Sequence, residues 1–327
     1  MIVPREIIDC INNHQSFLAH AHLGPDADSV GSILAIKLGL ESIGKVVNLY
    51  CEDDLPINYS FLPSITSIQK MELIGALTQN YDVYLTLDTA KWGMVSHAQP
   101  PVIPRKLIVN IDHHPESIVA KINWVEPKAV CTSQMIYHLL KKLDIKITPE
   151  IATCILAGII NDTGTFQNTN CTPEIFILTA RLQKLGADYN NTVIEISRSN
   201  SFEELKVWAA LLKNLKLSPS GDFVWTTLNN EEWKACHTRA SMGSFANAII
   251  SRVVGTKFGA VLVEKYPGET KGALRSRYPA IDVAQIAACL NGGGHTAAAG
   301  FRLEKNLKMA ERDFLQAVST LKSTNKL

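Results

Sequence analysis

The chain has 327 residues, of which 46% are hydrophobic and 19% are charged, so its length suits two domains with buried cores. Lysine and arginine together number 32 and aspartate and glutamate 31, which gives a net charge of +1 at pH 7. Because a protein that follows long nucleic acid must neutralise many phosphates, this balance favours a small anionic ligand. The seven cysteines form no CxxC pair, and the longest apolar run is about half of a bilayer crossing, so we expect a cytoplasmic protein without a disulfide framework or membrane contact.

Short apolar runs alternate with helical patterns in the first half of the chain. The runs predict strands at residues 16–21, 45–51, 82–87 and 106–111. Helices are predicted at 29–44 and at 151–160, and the second begins at Thr148-Pro149-Glu150 because proline is favoured at the first helical position. This alternation predicts an α/β domain over residues 1–190, with helices on both faces of a parallel sheet.

The clearest break in the chain is the Ser-Pro-Ser-Gly-Asp run at residues 218–222. Helical patterns at 172–184 and 201–217 precede it, and residues 191–218 are expected to form a helical linker. After the break, the patterns predict strands at 223–228, 260–266 and 271–277 and helices at 281–290 and 307–321. Residues 219–327 are therefore expected to form a smaller α+β domain.

Aspartate and histidine side chains stand at the ends of four predicted buried elements. They lie in residues 22–29, at Asp88, in the triad Asp112-His113-His114 and in residues 161–164. Open α/β sheets bind their ligands at the carboxyl ends of the strands, where three of these segments fall. Each segment alone has an ordinary explanation, such as an Asp helix cap or a turn.

The joint occurrence of these side chains predicts a site for two cations. Two imidazoles and four carboxylates supply enough ligands, and carboxylates two residues apart are costly to bury without a cation. Mixed nitrogen and oxygen ligands suit Mn²⁺, with Mg²⁺, Fe²⁺ and Co²⁺ as competitors. Two cations about 3.5–4 Å apart stabilise the attacking and leaving oxygens of a phosphoryl displacement.

A glycine-rich run at residues 291–300 forms another candidate site. Consecutive glycines let backbone N–H groups turn towards an anion, and a helix beginning after them would add its dipole. A triple glycine alone is more often a flexible turn. Because Arg275 and Arg277 end a predicted strand just upstream, and His295 follows the glycines, anion binding is the better interpretation.

These motifs, in this order, resemble the DHH phosphoesterase superfamily, which is named for the triad seen here as Asp112-His113-His114. The glycine-rich run resembles the DHHA1 domain that accompanies the DHH domain. Motif spacing and total length most resemble the oligoribonuclease and pAp phosphatase (NrnA-like) group, and the resemblance covers nearly the whole chain. His20 lies on the strand face of His22 and is a further candidate to contact a ligand.

The resemblance implies two metal ions per chain. The ligands would be His22 and Asp26 for one ion, Asp28, His113 and Asp162 for the other, and Asp88 for both. His114 would lie near the scissile phosphate and stabilise charge or protonate the leaving group, and Asp112 would orient the histidines. Another phosphate of the substrate would be held in the C-terminal domain by Arg275, Arg277, Gly292, Gly293, Gly294 and His295.

Two positions depart from the family pattern. Asn291 stands where the glycine run usually opens with a further glycine, and Gln134 stands where glutamate is common. Neither is an expected ligand, so both bear on substrate preference.

The expected substrates are short oligoribonucleotides, linear dinucleotides and pAp, with cyclic di-AMP as a further candidate, cleaved between the two domains. A polyphosphatase would use the same chemistry, and a nucleotide-binding regulator without activity is a third alternative. A homodimer is compatible with the sequence.

Overall fold

The computed structural model describes residues 1–118, 120–198, 201–236, 245, 253–278 and 280–324. The chain divides into two compact units, Met1–Ser199 and Asn200–Leu327, and the division falls inside the segment 191–218 that was predicted as a linker. In the described part of the chain, no helix combines the length and hydropathy that a membrane crossing requires.

The first unit contains a six-stranded parallel sheet, which confirms the predicted α/β class. Its strands follow one another in space in the order β3-β2-β1-β4-β5-β6. They are β1 Ser16–His20, β2 Val46–Cys51, β3 Ile68–Lys70, β4 Val83–Leu87, β5 Leu107–Asp112 and β6 Ile122–Val125. Because β1 pairs with both β2 and β4, the chain changes direction across the sheet there, and such a switch point is where open α/β sheets bind ligands.

Helices cover the two faces of this sheet unequally. The helices of the unit are α1 Arg5–Asn13, α2 Ala27–Glu41, α3 Leu73–Ala76, α4 Thr132–Lys142, α5 Pro149–Asp162, α6 Pro173–Lys184 and α7 Tyr189–Ser197. The larger core packs α1, α2, α4 and α5 against one face. On the other face, a smaller core contains Leu18, Tyr50 and Tyr84 of the sheet with the short helix α3.

Helix α2 is buried on all sides of its first two turns, because α4 and α5 pack closely against it. A glycine permits this approach, since a Cβ atom on Gly31 would lie 2.3 Å from the carbonyl oxygen of Cys154 in α5. Asp26 begins the helix, and its Oδ1 accepts the backbone N–H groups of Asp28 and Ser29, each at 3.0 Å. The close packing of α2, α4 and α5 therefore holds the start of α2 at the edge of the sheet.

The second unit is a smaller α+β domain, as predicted. Its mixed sheet has the order β11-β12-β10-β9-β8-β7, in which only β8 and β9 pair in parallel. The strands are β7 Lys216–Leu217, β8 Phe223–Leu228, β9 Phe258–Tyr266, β10 Glu269–Ser276, β11 Gly293–Gly294 and β12 Ala298–Leu303. Among the described residues of this unit, the helices are α8 Phe202–Lys213, α9 Asn230–Ala235, α10 Val283–Ala288 and α11 Leu307–Ser323.

The glycine-rich run does not open a helix, so the predicted contribution of a helix dipole is wrong. Gly293 and Gly294 form strand β11, and the chain continues into strand β12. The glycines serve close strand packing, because a Cβ atom on Gly292 would lie 2.2 Å from the carbonyl oxygen of Gly300. At Gly294 a Cβ atom would lie 2.5 Å from the Cα of Ala299.

Candidate metal centre

The predicted ligands meet at the carboxyl edge of the parallel sheet. His22 follows strand β1, Asp88 follows β4, and His113 follows β5. Since β1, β4 and β5 are neighbours in the sheet, their ends bring these three side chains together. Helix α2 adds Asp26 and Asp28 from its first turn, and helix α5 adds Asp162 at its last residue.

The ligand atoms fall into groups of the size that one cation needs. Among the residues that the structure describes, three groups of ligand atoms each lie within 4.8 Å of one another. They are His22, Asp26 and Asp88; Asp28, His113 and Asp162; and Asp88, His113 and His114. We call the six residues His22, Asp26, Asp28, Asp88, His113 and Asp162 the Asp/His cluster.

Distances within the Asp/His cluster are a few tenths of an ångström from those between ligands that share a cation, or equal to them. His22 Nε2 lies 3.7 Å from Asp26 Oδ1 and 3.7 Å from Asp88 Oδ2. His113 Nε2 lies 3.5 Å from Asp88 Oδ1 and 3.4 Å from Asp162 Oδ2. These distances exceed hydrogen bonds, whereas atoms about 2.1 Å from one cation lie about 3.0–3.4 Å apart at octahedral or tetrahedral angles.

The two carboxylate oxygens of Asp88 face different histidines of the Asp/His cluster. Its Oδ2 is the atom near His22, and its Oδ1 is the atom near His113 and, at 3.7 Å, near His114 Nδ1. The backbone of Asp88 has φ of 55°, a left-handed conformation that costs a non-glycine residue about 1–2 kcal/mol. Such strain persists only where surrounding contacts hold it, and it is common at functional sites.

Hydrogen bonds orient two of the imidazoles. His22 Nδ1 donates to the carbonyl of Leu23 at 3.0 Å, which leaves the lone pair of Nε2 for a cation. His114 Nδ1 lies 2.8 Å from Asp112 Oδ1, and Asp112 Oδ2 accepts the hydroxyl of Ser117 at 2.6 Å. Asp112 is thus engaged with both His114 and Ser117.

Part of the chain matches a known protein family. A model of the DHH family, N-terminal domain, matches residues 16–159. This segment is similar to the N-terminal domain of the DHH family. The matched segment contains every member of the Asp/His cluster except Asp162, which lies in helix α5 three residues after the segment ends.

Two curated relatives resemble the chain along most of its length. It is 29% identical to the bifunctional oligoribonuclease and PAP phosphatase NrnA of Thermus thermophilus over 306 residues, which are 91% of this chain and 87% of that protein. It is 26% identical to the protein of the same name from Bacillus subtilis over 306 residues, which are 90% of this chain and 91% of that protein. The family match and these relatives support an enzyme that hydrolyses phosphate esters.

Two solved structures share the fold. An exopolyphosphatase-related protein from Bacteroides fragilis has a TM-score of 0.89 at 23% identity and covers 99% of this chain and 97% of that chain. RecJ of Thermus thermophilus in complex with Mn²⁺ has a TM-score of 0.56 at 14% identity and covers 99% of this chain and 56% of that chain. At these identities the likeness establishes the architecture alone.

Crowded carboxylates dominate the electrostatics of the Asp/His cluster. Burial, together with the charge of Asp88, raises the pKa of Asp28 to about 7. Burial also raises the pKa of Asp162 well above its usual value, and the charge of Asp28 adds to the effect. Burial would lower the pKa of His113, but the carboxylates of Asp88, Asp28 and Asp162 raise it to about 10. A cluster that holds protons in this way suits divalent cations, which displace them on binding.

Helix α4 supplies a cradle for Asp28 that the sequence analysis missed. The backbone N–H of Thr132 donates to Asp28 Oδ2 at 2.7 Å, and that of Ser133 donates to Oδ1 at 2.8 Å. The Thr132 hydroxyl also donates to Asp88 Oδ1 at 3.2 Å, so one residue contacts two cluster carboxylates. Its neighbour Gln134 accepts the N–H of Val130 at 2.8 Å and thereby supports the turn before α4. A glutamate oxygen could accept the same N–H, so this contact does not explain the departure at Gln134.

The predicted phosphate-binding residues converge at one end of strand β12. Arg275 pairs in register with Ala298, the first residue of β12, and Gly294 pairs with Ala299 from the other side. His295 is exposed in the tight turn between β11 and β12, with its N–H donating to Ala298 at 2.8 Å. The guanidinium groups of Arg275 and Arg277 donate to the backbone carbonyls of Leu274 and Val253.

Asn291 occupies a left-handed position, with φ of 57°. After glycine, asparagine is among the residues that adopt this conformation most readily. The substitution of a glycine-type position by asparagine is therefore compatible with the backbone that the structure shows.

Proposed function

We propose that the chain is a two-metal phosphoesterase of short nucleotides. The observation that carries the proposal is the place of Asp88 in the Asp/His cluster, where it groups with His22 and Asp26 and also lies 3.5 Å from His113, a member of the group with Asp28 and Asp162. Similarity over about nine tenths of the chain to proteins named oligoribonuclease and PAP phosphatase directs the proposal to nucleotides. Its substrates would be short oligoribonucleotides, linear dinucleotides and pAp, with cyclic di-AMP as a further candidate.

We assign the ligands by group. One ion would be held by His22 and Asp26, the other by Asp28, His113 and Asp162, and Asp88 would serve both sites. Nitrogen and oxygen donors with excess carboxylate favour Mn²⁺, and Mg²⁺, Co²⁺ or Fe²⁺ would fit the same donors. When bound, such ions activate a water nucleophile and neutralise the charge of a phosphoryl group.

The protein's own residues hold and protonate the substrate. His114 is about a third exposed, and Asp112 holds its Nδ1, so its Nε2 is the atom that we assign to the substrate. As an imidazolium it would stabilise charge on the phosphate or supply the proton of the leaving oxygen. The contact with Asp112 raises the pKa of His114, which favours that protonated form.

In the second unit, we assign another phosphate of the substrate to Arg275, His295 and the glycine-rich turn. The backbone at Gly293 and Gly294 and these two basic side chains stand at one end of strand β12, and arginine and protonated histidine both donate hydrogen bonds to phosphate. Gly292 supports the strand packing of this turn, and we keep Arg277 as a further candidate of the same site.

The free thiols support a reducing compartment, and we propose the cytoplasm. All seven cysteines are unpaired, five of them buried. We further propose that the protein binds small nucleotides without a long nucleic acid or a membrane as partner. A homodimer would be compatible with this activity.

The proposal is tested by comparing substrates in the presence of Mn²⁺. Values of kcat/KM would be measured for 5′-pApA, pAp and tripolyphosphate with the wild type and with Asp88→Ala. We expect both nucleotides to exceed tripolyphosphate by at least about tenfold, or about 1.4 kcal/mol in transition-state stabilisation, and Asp88→Ala to lose nearly all activity. A preference for tripolyphosphate would make the chain a polyphosphatase, and full activity of Asp88→Ala would refute the cluster as the active centre.

A further inference from the structure

A hydrogen-bonded chain of four side chains lies in the first unit, behind the Asp/His cluster. Tyr50 Oη lies 2.6 Å from Tyr84 Oη, which lies 3.1 Å from His20 Nδ1. On the other side of the imidazole, His20 Nε2 lies 3.3 Å from the hydroxyl oxygen of Thr89. All four residues are fully buried, so water does not satisfy these groups.

The direction of every bond in this chain follows from its last member. The Thr89 hydroxyl donates its proton to the carbonyl of Leu87 at 2.9 Å, so its oxygen must accept from His20 Nε2–H. A neutral imidazole protonated at Nε2 accepts at Nδ1, and the hydroxyl of Tyr84 therefore donates there. Tyr84 in turn accepts from Tyr50. An imidazolium at this place would be a buried charge among two tyrosines and a threonine, which is costly.

The hydrogen-bonded chain ends on the backbone on either side of Asp88, the residue of the Asp/His cluster with a left-handed conformation. Leu87 precedes Asp88 and Thr89 follows it, and the bond between them spans the left-handed Asp88. On the opposite side, the N–H of Asp88 donates to the carbonyl of Ile111 at 3.1 Å. Without the support of Thr89, Asp88 could relax towards an ordinary backbone conformation and move its carboxylate away from His22 and His113.

We propose that His20 is a positioning residue, which holds Thr89 and through it the carboxylate of Asp88 in place for cations. This inference rests on the proposed metal centre. His20 itself is excluded as a ligand by its contacts, because both of its ring nitrogens are engaged within the buried chain. Its ring also stacks on Tyr84, with centroids 5.6 Å apart, which fixes the imidazole plane.

Two substitutions at His20 separate its two hydrogen bonds. Glutamine can place an amide N–H near the position of Nε2 and so keep the donor to Thr89. Asparagine is shorter and reaches only near the position of Nδ1, so it keeps the contact with Tyr84 and loses the contact with Thr89. Thr89→Val removes the hydroxyl at nearly constant volume. Thr179→Val is the matched control, because the Thr179 hydroxyl is also buried and donates to a backbone carbonyl at 2.8 Å, in helix α6.

The readouts are the dissociation constant of Mn²⁺, measured by calorimetry on chelator-treated protein, and the unfolding midpoint of the cation-free protein. We expect His20→Asn and Thr89→Val to weaken Mn²⁺ binding by about 10–100-fold, as is usual when a group that orients a ligand is removed. His20→Gln should stay within about threefold of the wild type, and Thr179→Val should bind Mn²⁺ as the wild type does.

Unchanged Mn²⁺ affinity in Thr89→Val and His20→Asn would overturn the positioning role. Equal losses in His20→Gln and His20→Asn would also overturn it, because the donor to Thr89 would then be irrelevant. If His20→Asn fails to fold, Thr89→Val still decides the question. If the wild type binds no Mn²⁺, the proposed metal centre is refuted, and this inference falls with it.

Discussion

Replacing Gly158 with alanine would test the placement of Asp28 in the cluster. Gly158 lies in helix α5, facing the start of α2 and of α4. A Cβ atom there would lie 2.1 Å from Ser133 Oγ and 2.3 Å from Asp28 Oδ1. Both distances are far below the about 3.5–4.0 Å at which nonbonded carbon atoms are most stable. The added methyl group must therefore displace the Asp28 carboxylate or the start of α4 that holds it.

The magnitude follows from two opposing effects. Alanine favours the helix over glycine by about 1 kcal/mol, whereas overpacking a buried contact costs about 1–3 kcal/mol. We expect a net loss of up to about 2 kcal/mol in the free energy of unfolding. The effect on Mn²⁺ should be greater, because a displaced ligand oxygen typically lowers cation affinity by about 10–100-fold.

The assay combines urea unfolding of the cation-free protein with calorimetric titration of Mn²⁺, and two other glycines supply controls. Gly39→Ala also overpacks α2, since its Cβ would lie 2.4 Å from Leu140 Cδ2, but about three turns from Asp28. At Gly75, in α3, a Cβ would meet nothing within 4 Å. We expect Gly39→Ala to lose stability but keep its Mn²⁺ affinity, and Gly75→Ala to keep both its stability and its Mn²⁺ affinity. If Gly158→Ala destabilises the protein but binds Mn²⁺ as tightly as the wild type, Asp28 is not a ligand.

Three further predictions concern protons, phosphate and backbone. Neighbouring carboxylates overcome the effect of burial and raise the pKa of His22 to about 9 and that of His113 to about 10. These protonated groups stabilise the cation-free fold at a pH below their unfolded pKa, and the stabilisation is lost as the pH rises through their folded pKa values. Because Mn²⁺ must displace these protons, the increase in unfolding temperature that it causes should grow between about pH 6 and about pH 8, and a gain independent of pH would contradict this reasoning. Arg275→Ala should raise KM for pAp by about tenfold or more and leave the Mn²⁺ stoichiometry unchanged in calorimetry, and an unchanged KM would remove Arg275 from the phosphate site. Asn291→Gly should preserve the urea midpoint, whereas Asn291→Val should lower the free energy of unfolding by about 1–2 kcal/mol because φ is 57° there, and equal stability of the two variants would refute the argument.

The sequence was sufficient to predict the elements that carry a strong apolar pattern. The run 82–87 became β4 Val83–Leu87, and the run 106–111 became β5 Leu107–Asp112, with the expected side chains at their ends. The short strands β3 and β6, with three and four residues, carry too little pattern to be recognised alone. The meeting of the predicted ligand side chains was predictable for a related reason, since strand ends in a parallel sheet share one edge.

The supporting contacts were not predictable because they depend on tertiary packing. Asp28 is held by backbone N–H groups of Thr132 and Ser133, which leave no side-chain signature in the sequence. The partners of His20 come from strand β4, 64 residues away, and from the turn after it. The glycine run illustrates the opposite error, because glycines that allow close strand pairing at β11 have the same sequence pattern as glycines that precede a helix.

The most direct test of the two-metal phosphoesterase is a titration of chelator-treated protein with Mn²⁺ while AMP release from 5′-pApA is followed by chromatography. The account predicts that no AMP is released without cation and that the rate rises until two Mn²⁺ ions are bound per chain. Release of AMP without any divalent cation, or no release of AMP with two ions bound, would contradict it.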